Sequence, residues 1–216
     1  VNERIQEILA HKHFIGGAEV AELEKRLAEY VGVKHVIACA SGTDALTIPL
    51  MAYGIKKTDA VFVPSFTFFA SGESVSLAGG TPVFVDSYRD TFNINPKALE
   101  ETIEKTLAEG KLTPKGIIAV DLFGLPADFN EIRRIADKYN LFVLEDAAQG
   151  FGGTIGGKKA CSFGDVAGTS FFPAKPLGCY GDGGAIFTNS DELYAKMKSI
   201  HVHGQGSDKY DNIQIG

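Results

Sequence analysis

GIIAVDLFGLPADFNEIRRIADKYNLFVLEDAAQG (Gly116–Gly150) holds a complete strand–helix–strand unit. Gly116–Leu122 reads as a buried strand, Asp128–Tyr139 as a helix and Phe142–Glu145 as a second buried strand. Runs that are apolar almost throughout belong to strands covered on both faces. A helical crossover between two such strands makes them parallel neighbours in one sheet. The same alternation continues on either side. Strands are expected at His35–Cys39, Ala60–Val63, Pro82–Val85, Val166–Phe171 and Gly184–Thr188. Helices are expected at Val20–Tyr30, Thr43–Tyr53, Thr67–Ala78, Pro96–Glu109 and Asp191–His201. In AEVAELEKRLAEYVG, Val20, Leu23, Leu27, Tyr30 and Val31 recur at helical spacing before Gly32 closes the helix. The predicted fold is α/β: a three-layer α/β/α sandwich around a mainly parallel sheet of about seven strands.

The totals fit this reading. Apolar residues make up 44% of the 216 and charged residues 22%, the balance of an ordinary globular domain. A net charge of −6 without a basic run disfavours nucleic acid and anionic membrane surfaces as partners. No apolar run reaches bilayer-spanning length. VNERIQEILAHKHF is amphipathic and charged, unlike a secretory leader. Cys39, Cys161 and Cys179 are odd in number and widely spaced, which argues against a disulfide scaffold or a zinc site. Reduced thiols and a cytoplasmic setting are expected.

In a parallel α/β sheet, ligands bind beyond the carboxyl ends of the strands. Four stretches lie there. CASGTDAL (39–46) opens a helix at Ser41-Gly42-Thr43, either as a phosphate cradle or as a plain N-cap turn. LFVLEDAAQG (141–150) ends a buried strand in Glu145-Asp146. A carboxylate there needs a partner, which is a cationic ring nitrogen, a helix N-terminus or an arginine. Gln149 follows, free to bond the same ligand or to cap a turn. SFFPAKPLGCYGDGGAIF (170–187) holds Lys175 between Pro173 and Pro176, and each proline stiffens the backbone. A partly desolvated lysine condenses with aldehydes, whereas a solvated loop lysine does nothing special. PSFTFFAS (64–71) places Phe68 after another strand, as a stacking platform or as core. Taken together, a phosphate cradle, an aromatic platform, a carboxylate and a lysine match the four features of pyridoxal 5′-phosphate. No strand is followed by GxGxxG, which sets a Rossmann dinucleotide site aside.

FIGGAEVAELE (14–24), CASGTDAL, VPSFTFFAS (63–71), EDAAQGFG (145–152), TSFFPAKPLGCYGDGGAIF (169–187) and HVHGQGSDKY (201–210) resemble, in order, the DegT/DnrJ/EryC1/StrS sugar aminotransferases of fold type I. The resemblance implies pyridoxal phosphate as cofactor and Lys175 as the Schiff-base lysine that also shuttles the proton. Asp146 would hold the pyridine nitrogen protonated, Gln149 would bond the ring hydroxyl and Phe68 would stack. Gly42, Thr43 and Ser170 would hold the phosphate. It implies a ping-pong transfer from an amino acid, typically glutamate, to a nucleotide-linked keto-sugar. Lysine rather than histidine at 175 favours transamination over dehydration. The wording is closest to enzymes that aminate UDP-linked 3-keto-uronic acids for O-antigen synthesis, with dTDP-linked 3-keto-deoxysugars second. It also implies a homodimer with shared active sites, residues 1–17 at the interface, and residues 1–216 as the large cofactor domain, without the family's small C-terminal domain. The competing expectation keeps the fold and the cofactor but not the catalysis, giving a regulatory or scaffold module.

Overall fold

The computed structural model describes residues 1–208 and 210–216. Lys209, inside the family-like segment 201–210, lies outside the described residues. The strands are β1 (His35–Cys39), β2 (Asp59–Pro64), β3 (Thr81–Val85), β4 (Thr113–Val120), β5 (Phe142–Asp146), β6 (Thr154–Ile155), β7 (Lys158–Lys159), β8 (Val166–Ser170) and β9 (Gly184–Thr188). The helices are α1 (Asn2–His11), α2 (Ala18–Val31), α3 (Gly42–Ala52), α4 (Phe69–Leu77), α5 (Pro96–Glu109), α6 (Phe129–Tyr139) and α7 (Asp191–His201).

Seven strands form one sheet in the order β1-β9-β8-β5-β4-β2-β3. β9 runs antiparallel to both β1 and β8, and the remaining pairings are parallel. The mainly parallel sheet expected from the sequence is therefore present. Alternate residues of the central strands feed opposite faces. Ile118, Val120 and Leu144 pack with Leu46 and Leu50 of α3 and Val75 of α4. Ile117, Ala119 and Val143 pack with Leu99 and Ile103 of α5 and Ile132 and Ile135 of α6. A third cluster joins Leu27 and Val31 of α2 to Val36, Ala185 and Phe187. Helices thus cover both faces.

Local chemistry sets the boundaries. α5 starts with Asn95, whose side chain accepts from the N–H groups of Lys97 and Ala98, and with Pro96 in its first turn. It ends at Gly110 in the left-handed region. α6 is capped by Asp128 and stopped by Asn140, also left-handed. Several expected boundaries move, most by one or two residues. The strand over Gly116–Leu122 begins at Thr113 and ends at Val120. Its apolar continuation Leu122–Gly124 is instead a tight 3₁₀ turn, with Phe123 left-handed at φ 56°. The helix expected from Thr67 begins at Phe69, because Phe68 stays extended (ψ 144°). Two further elements stand outside the expected set: the hairpin β6–β7, whose strands are two residues each, and the amphipathic helix α1, which buries no residue.

Candidate active site

The carboxyl ends of β1, β2, β4, β5 and β8 open onto one pocket of about 490 Å³. Gly42, Thr43, Phe68, Asp146, Gln149, Ser170 and Lys175 all line it. They come from four separate stretches of chain, and the sheet topology brings them to one place.

The anion side is the N-terminus of α3. Ser41 caps it, its Oγ accepting from Asp44 N–H at 3.1 Å and donating to the Asp44 carboxylate at 3.0 Å. The N–H groups of Gly42 and Thr43, first in the helix, have no intrahelical acceptor and lie at the positive end of its dipole. Gly42 rests on β8: a Cβ there would lie 2.6 Å from Ser170 Cβ. Glycine is therefore required for the helix end to meet the Ser170 hydroxyl, which itself accepts from Phe172 N–H at 3.2 Å.

Asp146 is buried at the end of β5. Its Oδ2 accepts from Ser71 Oγ at 2.7 Å and its Oδ1 from Ala148 N–H at 3.2 Å. Ser71 Oγ and Thr67 Oγ1 are 2.9 Å apart. Ser71 has one hydroxyl proton and gives it to Asp146, so Thr67 is the donor in that second contact. Burial pushes the Asp146 carboxyl above its ordinary value, while the Ser71 hydroxyl, Ala148 N–H and the Lys175 charge pull it back down. No arginine is needed: the hydroxyl pair and Lys175 answer the question of its partner. Gln149 is oriented as well. Phe123 N–H donates to its Oε1 at 2.7 Å, so its Nε2 is left to donate into the pocket. The left-handed backbone of Phe123, costly for a phenylalanine, serves that contact.

Lys175 follows a turn closed by its own N–H on Phe172 O at 2.8 Å, with Pro173 at the second turn position. Residues 172–182 are all exposed except Lys175, which turns inward and is half-buried. Its Nζ lies 6.0 Å from the centroid of the Phe68 ring. Phe68 is 68% exposed, so the core alternative for it falls and a free aromatic face remains. Sequence reasoning left Thr67, Ser71 and Asp182 without a role, although all three are at the site. The only trace of Ser71 was the small-residue run Ala70-Ser71-Gly72, which lets α4 approach the sheet.

The sequence profile of the DegT/DnrJ/EryC1/StrS aminotransferase family matches residues 1–216. The chain is 50% identical over 218 aligned residues to UDP-2-acetamido-2-deoxy-3-oxo-D-glucuronate aminotransferase of Pseudomonas aeruginosa, covering all of this chain and 58% of that protein. A crystal structure of a DegT/DnrJ/EryC1/StrS aminotransferase from Brucella abortus superimposes with a TM-score of 0.98 at 55% identity, over all of this chain and 58% of that one. NtdA of Bacillus subtilis, solved with bound cofactor PMP, gives 0.88 at 37% identity over 98% of this chain and 47% of its own. The chain thus spans about half the length of these relatives. It belongs to the DegT/DnrJ/EryC1/StrS aminotransferase family.

Proposed function

We propose that this chain is the cofactor-binding part of a pyridoxal 5′-phosphate-dependent aminotransferase acting on a nucleotide-linked keto-sugar. One observation bears most of the weight: a half-buried lysine, a buried carboxylate, an exposed aromatic face and an unpaired helix N-terminus converge on a single pocket. That set fits the cofactor group by group. Gly42 and Thr43 N–H and the Ser170 hydroxyl would hold the phosphate. Phe68 would cover one face of the ring. Asp146, kept in place by Ser71, would hold the proton on the pyridine nitrogen. Gln149 Nε2 would donate to the ring hydroxyl oxygen. Bound there, pyridoxal phosphate supplies an aldehyde carbon and an electron-withdrawing pyridinium ring. The Lys175 amine is the nucleophile placed for that carbon and the base that moves the substrate proton.

The acceptor is a UDP-linked 3-keto-uronic acid, the sugar class in the name of the P. aeruginosa relative, and the amino donor is L-glutamate. A dTDP-linked 3-keto-sugar ranks second. We place the reaction in cell-surface polysaccharide synthesis in the cytoplasm, in a homodimer. Phe14, Ile15 and Tyr180 are 62%, 90% and 91% exposed, which suits a face covered by a second copy. No helix among the described residues is long and apolar enough to cross a membrane. ¹⁵N-glutamate supplied with the intact protein, pyridoxal phosphate and a UDP-linked 3-keto-uronic acid should yield ¹⁵N-labelled amino-sugar. Cofactor binding without transfer to any nucleotide-linked keto-sugar would leave the non-catalytic binding module instead.

A further inference from the structure

Three buried carboxyls lie at the ends of β4 and β5: Asp146 borders the pocket, and Asp121 and Glu145, fully buried, do not line it. Their surroundings differ. Glu145 accepts three backbone N–H groups, from Cys161 at 2.5 Å, Phe163 at 2.8 Å and Gly164 at 3.3 Å. Asp121 Oδ1 accepts one, from Ala127 at 3.3 Å. Asp121 Oδ2 is buried and meets no donor. The Asp121 and Glu145 carboxyls stand within hydrogen-bonding reach of each other. Two carboxylates cannot bond without a proton between them.

We propose that Asp121 is held as the neutral acid, giving its proton to Glu145, and that this contact positions Gln149 and Asp146 in the pocket. The assignment of the proton follows from the donor count. Three amide dipoles stabilise charge on Glu145, and only one does so on Asp121. A buried anion at Asp121 would also face Glu145 and Asp146, with no donor for its second oxygen. Burial and those two carboxylates push Asp121 well above its ordinary range. The groups facing the pair are Asp146 and the buried Cys161 thiol, itself pushed up by burial and by the nearby carboxyls. Lys175 acts across the floor on Asp146.

Asp121 is tied to the site by its backbone. Its N–H donates to Asp146 O at 3.0 Å. It begins the segment 121–127, in which Phe123 N–H holds Gln149 Oε1. Its side chain packs so closely on Gly150 that a Cβ there would lie 2.5 Å from Asp121 Oδ2. Moving this carboxyl moves the turn behind Gln149. Asp121 does not line the pocket and is a positioning residue.

The positioning role rests on the pyridoxal phosphate reading, but the protonation does not, and two measurements separate them. Infrared difference spectra of the intact protein against Asp121→Asn at neutral pH should show a protonated-carboxyl C=O band that the variant lacks. Because Asp121 is shifted upward, the band should fade as pH rises into the alkaline range. Absence of the band at neutral pH would overturn the proposal, whether or not any cofactor binds. Asn mimics the neutral acid, so Asp121→Asn should keep pyridoxal phosphate affinity within about twofold, while Asp121→Ala should lose about tenfold. Equal losses in the two variants would overturn the positioning role.

Discussion

Glu145 and Asp146 are adjacent on β5 and face opposite sides of the sheet. The region around Glu145 is closed: three backbone amides use its oxygens, and it is fully buried and does not line the cavity at Asp146. The region around Asp146 is left open, with one hydroxyl and one amide holding the carboxylate while it still borders the cavity. The two acids are almost equally buried, so burial does not tell them apart. What separates structural from functional carboxylate is whether the protein itself completes the donor set.

The contrast can be broken from either side. The largest effect should come from the pocket. Lys175→Ala should abolish amino transfer while leaving the circular dichroism spectrum unchanged, and unchanged turnover would remove the lysine from the mechanism. Asp146→Asn should lower kcat by about 10²–10³-fold or more, the usual cost of losing a preorganised charge. A loss of tenfold or less would assign the ring nitrogen to another partner. Glu145→Gln should act on stability instead. It turns one of the two acceptor oxygens into a donor, which strips the acceptor from one or two of the three amides, and should cost roughly 2–3 kcal/mol in urea unfolding. If it lowered kcat in a fully folded protein as much as Asp146→Asn does, the division between the two acids would fail.

The smallest effect sharpens the comparison. In the proposed function Asp146 works as the anion, so activity should be present above its folded pKa and lost as pH falls through it. The Ser71 hydroxyl lowers that pKa against burial. Ser71→Ala should therefore raise it further and move the acid limb of the kcat profile upward by roughly one pH unit. A shift toward lower pH, or none, would show that the hydroxyl does not hold the carboxylate.

Much of this was legible in the sequence, for physical reasons. Continuous apolar runs and alternating helices marked the sheet, and the strand-end rule pointed to the ends where the pocket lies. Lys175 stood out through its prolines, and Asp146 through the cost of a carboxylate after four apolar residues. What stayed hidden depends on contacts between distant segments. Ser71 is an ordinary serine until α4 packs against β5. The turn at Phe123 reads as more strand until Asp121 N–H finds Asp146 O. Glu145 and Asp121, 24 positions apart in sequence, become partners only through the parallel pairing of β4 and β5.

The central claim is that the pocket presents Lys175 to a bound aldehyde cofactor. The most direct measurement is to load the intact protein with pyridoxal phosphate, reduce with borohydride and map the modified peptide by mass spectrometry. The account predicts a pyridoxyl group on Lys175, lost in Lys175→Ala and weakened in Asp146→Asn. A pyridoxyl group on another lysine, or none at saturating cofactor, would contradict it.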